Sequence, residues 1–268
     1  MTDPVFDPAD PVAFELLREG EIEVEGRLID ASNVTLFCTI NWEKISAKAV
    51  YKPVSGERPL WDFPDGTLAG REVATYLISS VSGLGNVPPT VLRDGPFGPG
   101  MVQLWVDTID DPLVDVQSPN ELSPEWLVVL EAEDQAGNPA VVAHSDNAEL
   151  RELAALDVVV NNTDRKGGHL LNGSNGRIYG IDHGICLHTE PKLRTVLWGW
   201  IGQPLPDSVA EKLRVLSDAL TGDLGEQLIE HITTEEINAA TKRAQALLDQ
   251  GVFPTPENDR NPIPWPLF

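Results

Sequence analysis

Apolar residues change their spacing once along this 268-residue chain, and that change constrains its architecture most. In the first half they fall in short β-branched or alternating segments at residues 22–29, 34–40 and 45–52, with polar breaks between them. Period two is the mark of a half-buried strand, so these segments predict an antiparallel meander. Residues 88–92 and 101–106 flank a Gly/Pro-rich turn at 94–100 and predict a hairpin. Two helices interrupt the strands. Asp10, Pro11 and Gly20 bracket Phe14, Leu16 and Leu17 as cap, first-turn proline and terminal glycine. Residues 67–82 put Val73, Tyr76, Leu77 and Val81 on one helical face, with Gly83 as the stop.

Beyond residue 146 the spacing becomes three and four. Asp146 with Glu149, Ser208 with Glu211, and Thr233 with Glu236 each carry a capping-box signature ahead of such a run. A strand-like piece at 177–182 interrupts this helical half, and a proline-rich tail closes it from Pro254 to Phe268. The fold class is α+β, β-rich first and α-rich second, with the join near residues 103–112 and no internal repeat. The length suits one large domain or two lobes sharing a cleft.

Charge narrows the partners. Against 19 basic side chains stand 42 acidic ones, a formal net charge of −23. Such a surface disfavours nucleic acid and anionic lipid headgroups, both of which need cations. No stretch approaches the roughly 18 consecutive apolar residues of a membrane span. Met1-Thr2-Asp3-Pro4 lacks the basic start of a signal peptide, so no integral membrane association and a cytoplasmic location are expected. Cys38 and Cys186 are too few for a disulfide framework or a zinc ribbon and suit a reducing compartment. Residues 101–160 hold 13 carboxylates and one basic residue, Arg151, and read as an irregular, solvated acidic face.

The chemistry-bearing residues gather in Asn161-Asn162-Thr163-Asp164-Arg165-Lys166-Gly167-Gly168-His169 and in Ile181-Asp182-His183-Gly184. One carboxylate in a glycine-containing loop after a helix, and another ending a short strand, are suited to meet in a cleft. There one orients an attacking hydroxyl while the other holds a divalent metal on a phosphate. Upstream lie a strand-borne Lys52, a helix-borne Glu72 and a hinge-like strand at 103–107. Phosphoryl transfer from ATP calls for these residue types, because its work is positioning and charge neutralisation.

Three of these segments resemble the phosphatidylinositol 3- and 4-kinase superfamily, closest to its type II phosphatidylinositol 4-kinases and small bacterial kinase-like proteins. Val50-Tyr51-Lys52-Pro53 resembles the strand lysine, Asn162-Thr163-Asp164-Arg165 the catalytic loop, and Ile181-Asp182-His183-Gly184 the metal-binding Asp-x-Gly. The bacterial proteins are similar over nearly the whole chain, including Leu60 to Pro64 and Leu193 to Trp200; the eukaryotic lipid kinases match in the motifs alone. The resemblance implies a two-lobed, protein-kinase-like fold with an N-lobe at 1–107 and a C-lobe at 108–268. It implies ATP with Mg2+ or Mn2+ as cofactors, and transfer of the γ-phosphoryl group to a hydroxyl of a protein, a soluble polyol or a phosphoinositide. Lys52 would contact the phosphates and Glu72 pair with it; Asp164 would be the catalytic aspartate and Asp182 the metal ligand. Arg165 and Lys166 either stabilise phosphate charge or pair with the acidic belt. Ser32 and Asn33 would cover the nucleotide from the turn at 26–33, which holds one glycine, and Gln103 and Trp105 would line it from the hinge strand.

His169 stands where the family usually has an asparagine metal ligand. An imidazole there suits manganese better than magnesium and releases metal on protonation near its ordinary pKa of about 6.5. In the alternative, His169 packs in its loop and Asn162 or Asn172 supplies the oxygen. The same departure admits a catalytically weak ATP-binding pseudokinase acting as a regulatory or scaffold module. Lys48, on the same strand face as Lys52, is the runner-up lysine. His183, Cys186 and His188 lack the further ligands of a zinc site. Trp198 and Trp200 suit packing better than a substrate platform, whereas Trp61 and Phe63, apolar residues in a loop, need a partner surface or a cleft.

Overall fold

The computed structural model describes residues 11–28, 33–134, 136–256 and 261–268. Helix α1 (Val12–Glu19) starts at Pro11 and stops before Gly20. Asp10, expected as its cap, lies outside the described residues. Strands β1 (Glu21–Arg27), β2 (Leu36–Trp42), β3 (Ile45–Pro53), β4 (Thr90–Gly95) and β5 (Gly98–Leu104) form an antiparallel sheet in the order β1-β2-β3-β5-β4. The hairpin turn is tighter than its Gly/Pro content suggests, with pairing from Thr90 and Gln103 down to Gly95 and Gly98.

Alternation along β3 decides which side faces the cleft. Ala47, Ala49 and Tyr51 are buried together with Leu16 and Leu17 of α1 and with Cys38, Ile40 and Val102. Lys48, Val50 and Lys52 therefore lie on the opposite face. Lys52 stands across from Met101 of β5, and Met101 packs against Ala69 and Val73 of helix α2 (Leu68–Ser82).

Helix α2 is capped at both ends. Thr67 Oγ1 accepts from the Gly70 N–H at 2.9 Å, the Glu57 carboxylate takes the N–H groups of Leu68 and Ala69, and Gly83 ends the helix in the left-handed region. Its buried face differs from the expected one. Val81 is exposed, while Arg71, Glu72, Ala74 and Ile78 are buried. The helix is wedged between the sheet on one side and the helical core on the other, and its two buried charges are paired, so apolar spacing alone under-reports what it buries.

The acidic stretch is not irregular. It forms a second antiparallel sheet of β6 (Val114–Gln117), β7 (Trp126–Glu133) and β8 (Pro139–Ser145), in the order β6-β8-β7. Strand β8 buries Ala140 to His144, whereas exposed Glu131 and Glu133 on β7 give that strand its charge and mask its period. Helix α3 (Ala148–Val160) is capped by Asn147, whose Oδ1 accepts from the Glu149 N–H at 2.8 Å. Asp146, the expected cap, instead accepts from Trp200 Nε1 at 3.0 Å and pairs with Arg151.

Strands β9 (Leu170–Asn172) and β10 (Ile178–Gly180) pair antiparallel, and helices α4 (Asp207–Leu220), α5 (Asp223–Leu228) and α6 (Thr234–Gln250) follow. Ser208 caps nothing, because α4 already begins at Asp207 behind Pro206; the Thr233/Glu236 box forms as expected. Leu150, Leu153, Leu156 and Val159 of α3 pack with Leu213 and Leu216 of α4 and Ala240 and Ala244 of α6. Each fully buried leucine or valine contributes about 1.5–3 kcal/mol by leaving water, and this core fixes the loops that follow α3 and β10. The architecture is mixed α/β, with a sheet-rich N-terminal part and a helix-rich C-terminal part. Among the described residues no helix is long and apolar enough to cross a membrane.

Candidate active site

Lys52 joins three elements. Its Nζ lies 2.7 Å from Glu72 Oε1 on α2 and 2.7 Å from Asp182 Oδ1 in the loop after β10. Burial would lower its pKa, but Asp182 and Glu72 outweigh that and hold the ammonium charged. Lys48, two strand repeats away, is engaged by Glu25 and Thr39 and does not enter this cluster.

Glu72 is almost wholly buried. Its second oxygen, Oε2, accepts from the His183 backbone N–H at 2.8 Å, so a single carboxylate ties β3 to the loop carrying Asp182. Burial raises its pKa against the opposing pull of Lys52. Lys52 holds the Asp182 carboxyl well below the usual carboxylate range. Asp182 adopts φ 61°, a left-handed conformation that costs a non-glycine residue about 1 kcal/mol and persists only where neighbours impose it. Here the imposing contacts are visible: the Ile181 carbonyl accepts from Arg165 Nη1 at 2.8 Å, the Ile181 N–H donates to the His169 carbonyl at 3.0 Å, and His183 is held by Glu72. A Cβ on Gly184 would stand 3.2 Å from Leu68 Cβ, so a glycine lets the loop lie close against α2.

The loop with the second carboxylate begins where α3 ends, at Asn161 in the left-handed region. Asn161 Nδ2 donates to the carbonyls of His188 and Glu190, while Asn162 is fixed between Asp157 and the Asp164 N–H. These contacts present Asp164 at the cleft. Its Oδ2 lies 3.1 Å from Lys166 Nζ, and burial raises its pKa. Lys166 thus reaches the cleft, as one of its two expected roles requires.

Arg165 does not. Its guanidinium is fully buried, paired with Asp157 at 3.0 Å, donating to the His169 and Ile181 carbonyls and 2.6 Å from His183 Nε2. No face remains for a phosphate, so Arg165 is a positioning residue behind both loops rather than a catalytic one. Its partner is Asp157 of α3, not an exposed acidic belt.

His169 lines the cleft with its Nε2 3.2 Å from Asp182 Oδ2. Burial lowers its pKa to about 4, so the ring is neutral through the range in which an exposed histidine titrates, and the expected release of metal near the ordinary value does not apply. Neither alternative asparagine is placed to supply an oxygen: Asn162 is consumed inside the loop, and Asn172 is turned toward Asp111.

Asp164, Lys166, His169 and Asp182 share with Lys52 and Glu72 a cavity of about 470 Å³. Its inner wall is apolar, with Leu28, Val34, Val50, Leu104, Val106 and Leu171 forming a slot suited to a flat ring. Asn33 and Trp105 line the cavity too, Asn33 with Oδ1 accepting the Arg58 N–H and Trp105 edge-on to Phe37. Gln103 borders it, but its Nε2 is committed to Thr90 Oγ1 at 2.8 Å. Ser32 lies outside the described residues. Among the described residues no three carboxylate, histidine or cysteine side chains are disposed to hold a metal ion. Two carboxylates in one cleft still fit magnesium, which takes one or two protein carboxylates and completes its octahedron with phosphate oxygens and water.

No family model matches the chain. It is 52% identical over 263 residues to Protein Rv2133c of Mycobacterium tuberculosis, covering 94% of each chain. The chain belongs to that protein's family. Among solved structures it is similar to the Golgi casein kinase, at 14% identity and a TM-score of 0.46 over 88% of this chain and 72% of that one. It is also similar to the Helicobacter pylori proinflammatory kinase CtkA, at 11% identity and a TM-score of 0.41 over 86% and 97%.

Sequence reasoning missed the residues that brace the cleft. Asp157 carries no motif signal, since it sits mid-helix among apolar neighbours, yet a carboxylate at a buried helical position is itself a sign of a buried cation. Arg71, buried on α2, bonds Glu236 at 2.6 Å and the Cys186 carbonyl at 2.9 Å, coupling α2 to α6. Phe63 proves to be internal, packed under Arg71 and Lys192, whereas Trp61 is 92% exposed. Trp198 and Trp200 are buried.

Proposed function

We propose that this protein is an ATP-dependent phosphotransferase that moves the γ-phosphoryl group to a hydroxyl acceptor, and that it is an atypical kinase of the phosphatidylinositol 3-/4-kinase-like kind. The observation that carries this reading is the double engagement of Lys52 by Glu72 and Asp182 beside Asp164. A strand lysine paired with a helix glutamate, a loop aspartate for metal and a second aspartate for the acceptor are the working parts of kinase phosphoryl transfer. In this reading residues 1–107 act as the N-lobe, residues 108–268 as the C-lobe, and the apolar slot takes the base. Asp182, with His169 beside it, would hold Mg2+ or Mn2+, which neutralises charge on the phosphates. Lys52 steadies the phosphate oxygens, and Asp164 accepts a hydrogen bond from the attacking hydroxyl and orients it. Ser32 and Asn33 keep their proposed place over the nucleotide.

ATP with either metal should raise the melting temperature by binding the folded state alone, and Asp182→Asn should remove the metal-dependent part of the rise. Absence of any shift, together with absence of heat in calorimetry, would remove the nucleotide reading altogether. The approach of His169 Nε2 to within 3.2 Å of Asp182 Oδ2 favours a second reading, a nucleotide-binding pseudokinase, because it crowds a carboxylate oxygen that metal would use. Transfer of label from ATP separates the two.

A further inference from the structure

A second cavity, of about 820 Å³, opens on the other side of Asp164 and Lys166, which line both it and the cleft. Four cations border it in a chain of net charge −23. Two of them are satisfied: Lys166 by Asp164 at 3.1 Å and Lys192 by Asp62 at 2.8 Å. The other two, Arg194 and Arg243, make no ion pair among the described residues: Asp164 acts on Arg194 and Glu236 on Arg243 only at longer range, and Glu190, the third carboxylate at the cavity, pairs with neither.

Arg243 donates from Nε to the Val159 carbonyl at 2.7 Å and from Nη1 to the His188 carbonyl at 3.1 Å, leaving Nη2 buried without a partner. Arg194 donates from Nη2 to the Ile263 carbonyl at 3.2 Å, and its Nε is likewise buried without a partner. A cation half out of water with no ion pair is costly, and burial lowers the Arg243 pKa to about 10 against the weaker pull of Cys186 and Glu236. In a protein with more than two carboxylates for every cation, two unpaired guanidinium groups at one cavity mark a place where an anion is supplied from outside. Guanidinium is the side chain best matched to phosphate or carboxylate. Trp61, 92% exposed, and Trp265, 78% exposed, stand at the same cavity and offer flat apolar faces to a ring.

We infer that this second cavity is the acceptor site, and that the acceptor is a hydroxyl compound bearing a phosphate or carboxylate that Arg194 and Arg243 recognise. The inference rests on the phosphotransferase reading for the word acceptor, since it places the hydroxyl beside Asp164, at the wall shared with the nucleotide cleft. The anion site stands apart from it. The anion could belong to a soluble compound or to a lipid headgroup, and the chemistry recognised is the same.

Calorimetry on the full chain with glucose 6-phosphate, glucuronate and glucose, and sedimentation with phosphatidylcholine vesicles with and without 20 mol% phosphatidylinositol, test it. At least one anionic probe should bind tenfold or more tightly than its neutral counterpart. Arg194→Met and, separately, Arg243→Met should each weaken that binding about tenfold while leaving ADP affinity within twofold, which also shows that each variant is folded. Binding of the soluble probes assigns a free acceptor, and binding of the anionic vesicles alone assigns a headgroup. Equal affinity for charged and neutral probes, no binding of any of them, or binding indifferent to both substitutions would overturn the inference. Loss of ADP binding in the wild type would instead count against the phosphotransferase reading and leave the anion result to be judged by itself.

Discussion

Lys52 Nζ and Asp182 Oδ1 stand 2.7 Å apart although 130 residues separate them, and Glu72 holds the same ammonium from the other side. Lys52→Met leaves two carboxylates facing each other with no cation between them. ATP affinity should fall by at least tenfold, because the phosphates lose their lysine and the Asp182 carboxyl loses the charge that keeps it ionised. Calorimetric titration measures this directly, and Lys48→Met, whose side chain serves Glu25, should bind ATP as the wild type does.

Arg165→Met separates a positioning role from a catalytic one. Removing one partner of a buried, hydrogen-bonded ion pair leaves Asp157 uncompensated and should cost about 3–5 kcal/mol of stability, read as a lower urea midpoint. Arg165 in contact with phosphate would give the opposite pattern, intact stability and weakened nucleotide binding.

Much of the fold was legible because its signals are local. Period-two segments, the glycine stop at Gly83 and the Thr233/Glu236 box depend on neighbours in sequence, and they stand where expected. The second sheet was hidden because its outward charges broke the apolar alternation on β7. The site divided in the same way. Lys52, Glu72, Asp164, Lys166, His169 and Asp182 converge on one cavity, as order along the chain suggested. Arg165 sits in the same motif but turns inward, since the deciding partner, Asp157, lies on a helix whose spacing says nothing about which buried position carries a charge. Asn162 was likewise spent on the loop itself.

His144 sets an acid limit to stability. It is buried, with Nε2 accepting from the Gly199 N–H at 3.0 Å and Nδ1 3.0 Å from the Ser145 carbonyl. Burial lowers its pKa to about 4, with Asp146 opposing and Arg151 assisting. The unfolded chain takes up the proton near the ordinary value of about 6.5, so the contribution of His144 to stability is constant above that pH and falls between about 6.5 and 4, by up to about 3 kcal/mol. Urea unfolding at pH 7 and pH 5 should show this loss, and His144→Gln should reduce the difference between the two.

His169→Asn tests the metal preference. With the wild type, manganese should support nucleotide binding better than magnesium, because an imidazole nitrogen 3.2 Å from Asp182 Oδ2 suits a hard oxygen-seeking ion less well. The asparagine variant should bring the two metals to within about twofold of each other. Equal dependence in both proteins would take His169 out of the metal site.

The central claim is tested most directly by following label from γ-labelled ATP, with magnesium or manganese, into the hydroxyl-bearing anionic probes that bind the second cavity, using wild type and Asp164→Asn. Transfer by the wild type is expected, with a fall on the order of a hundredfold or more in the variant while ATP affinity stays unchanged, as loss of a positioned catalytic carboxylate requires. Equal transfer by both proteins, or ATP binding without transfer in the wild type, would contradict the assignment of Asp164 and the phosphotransferase account.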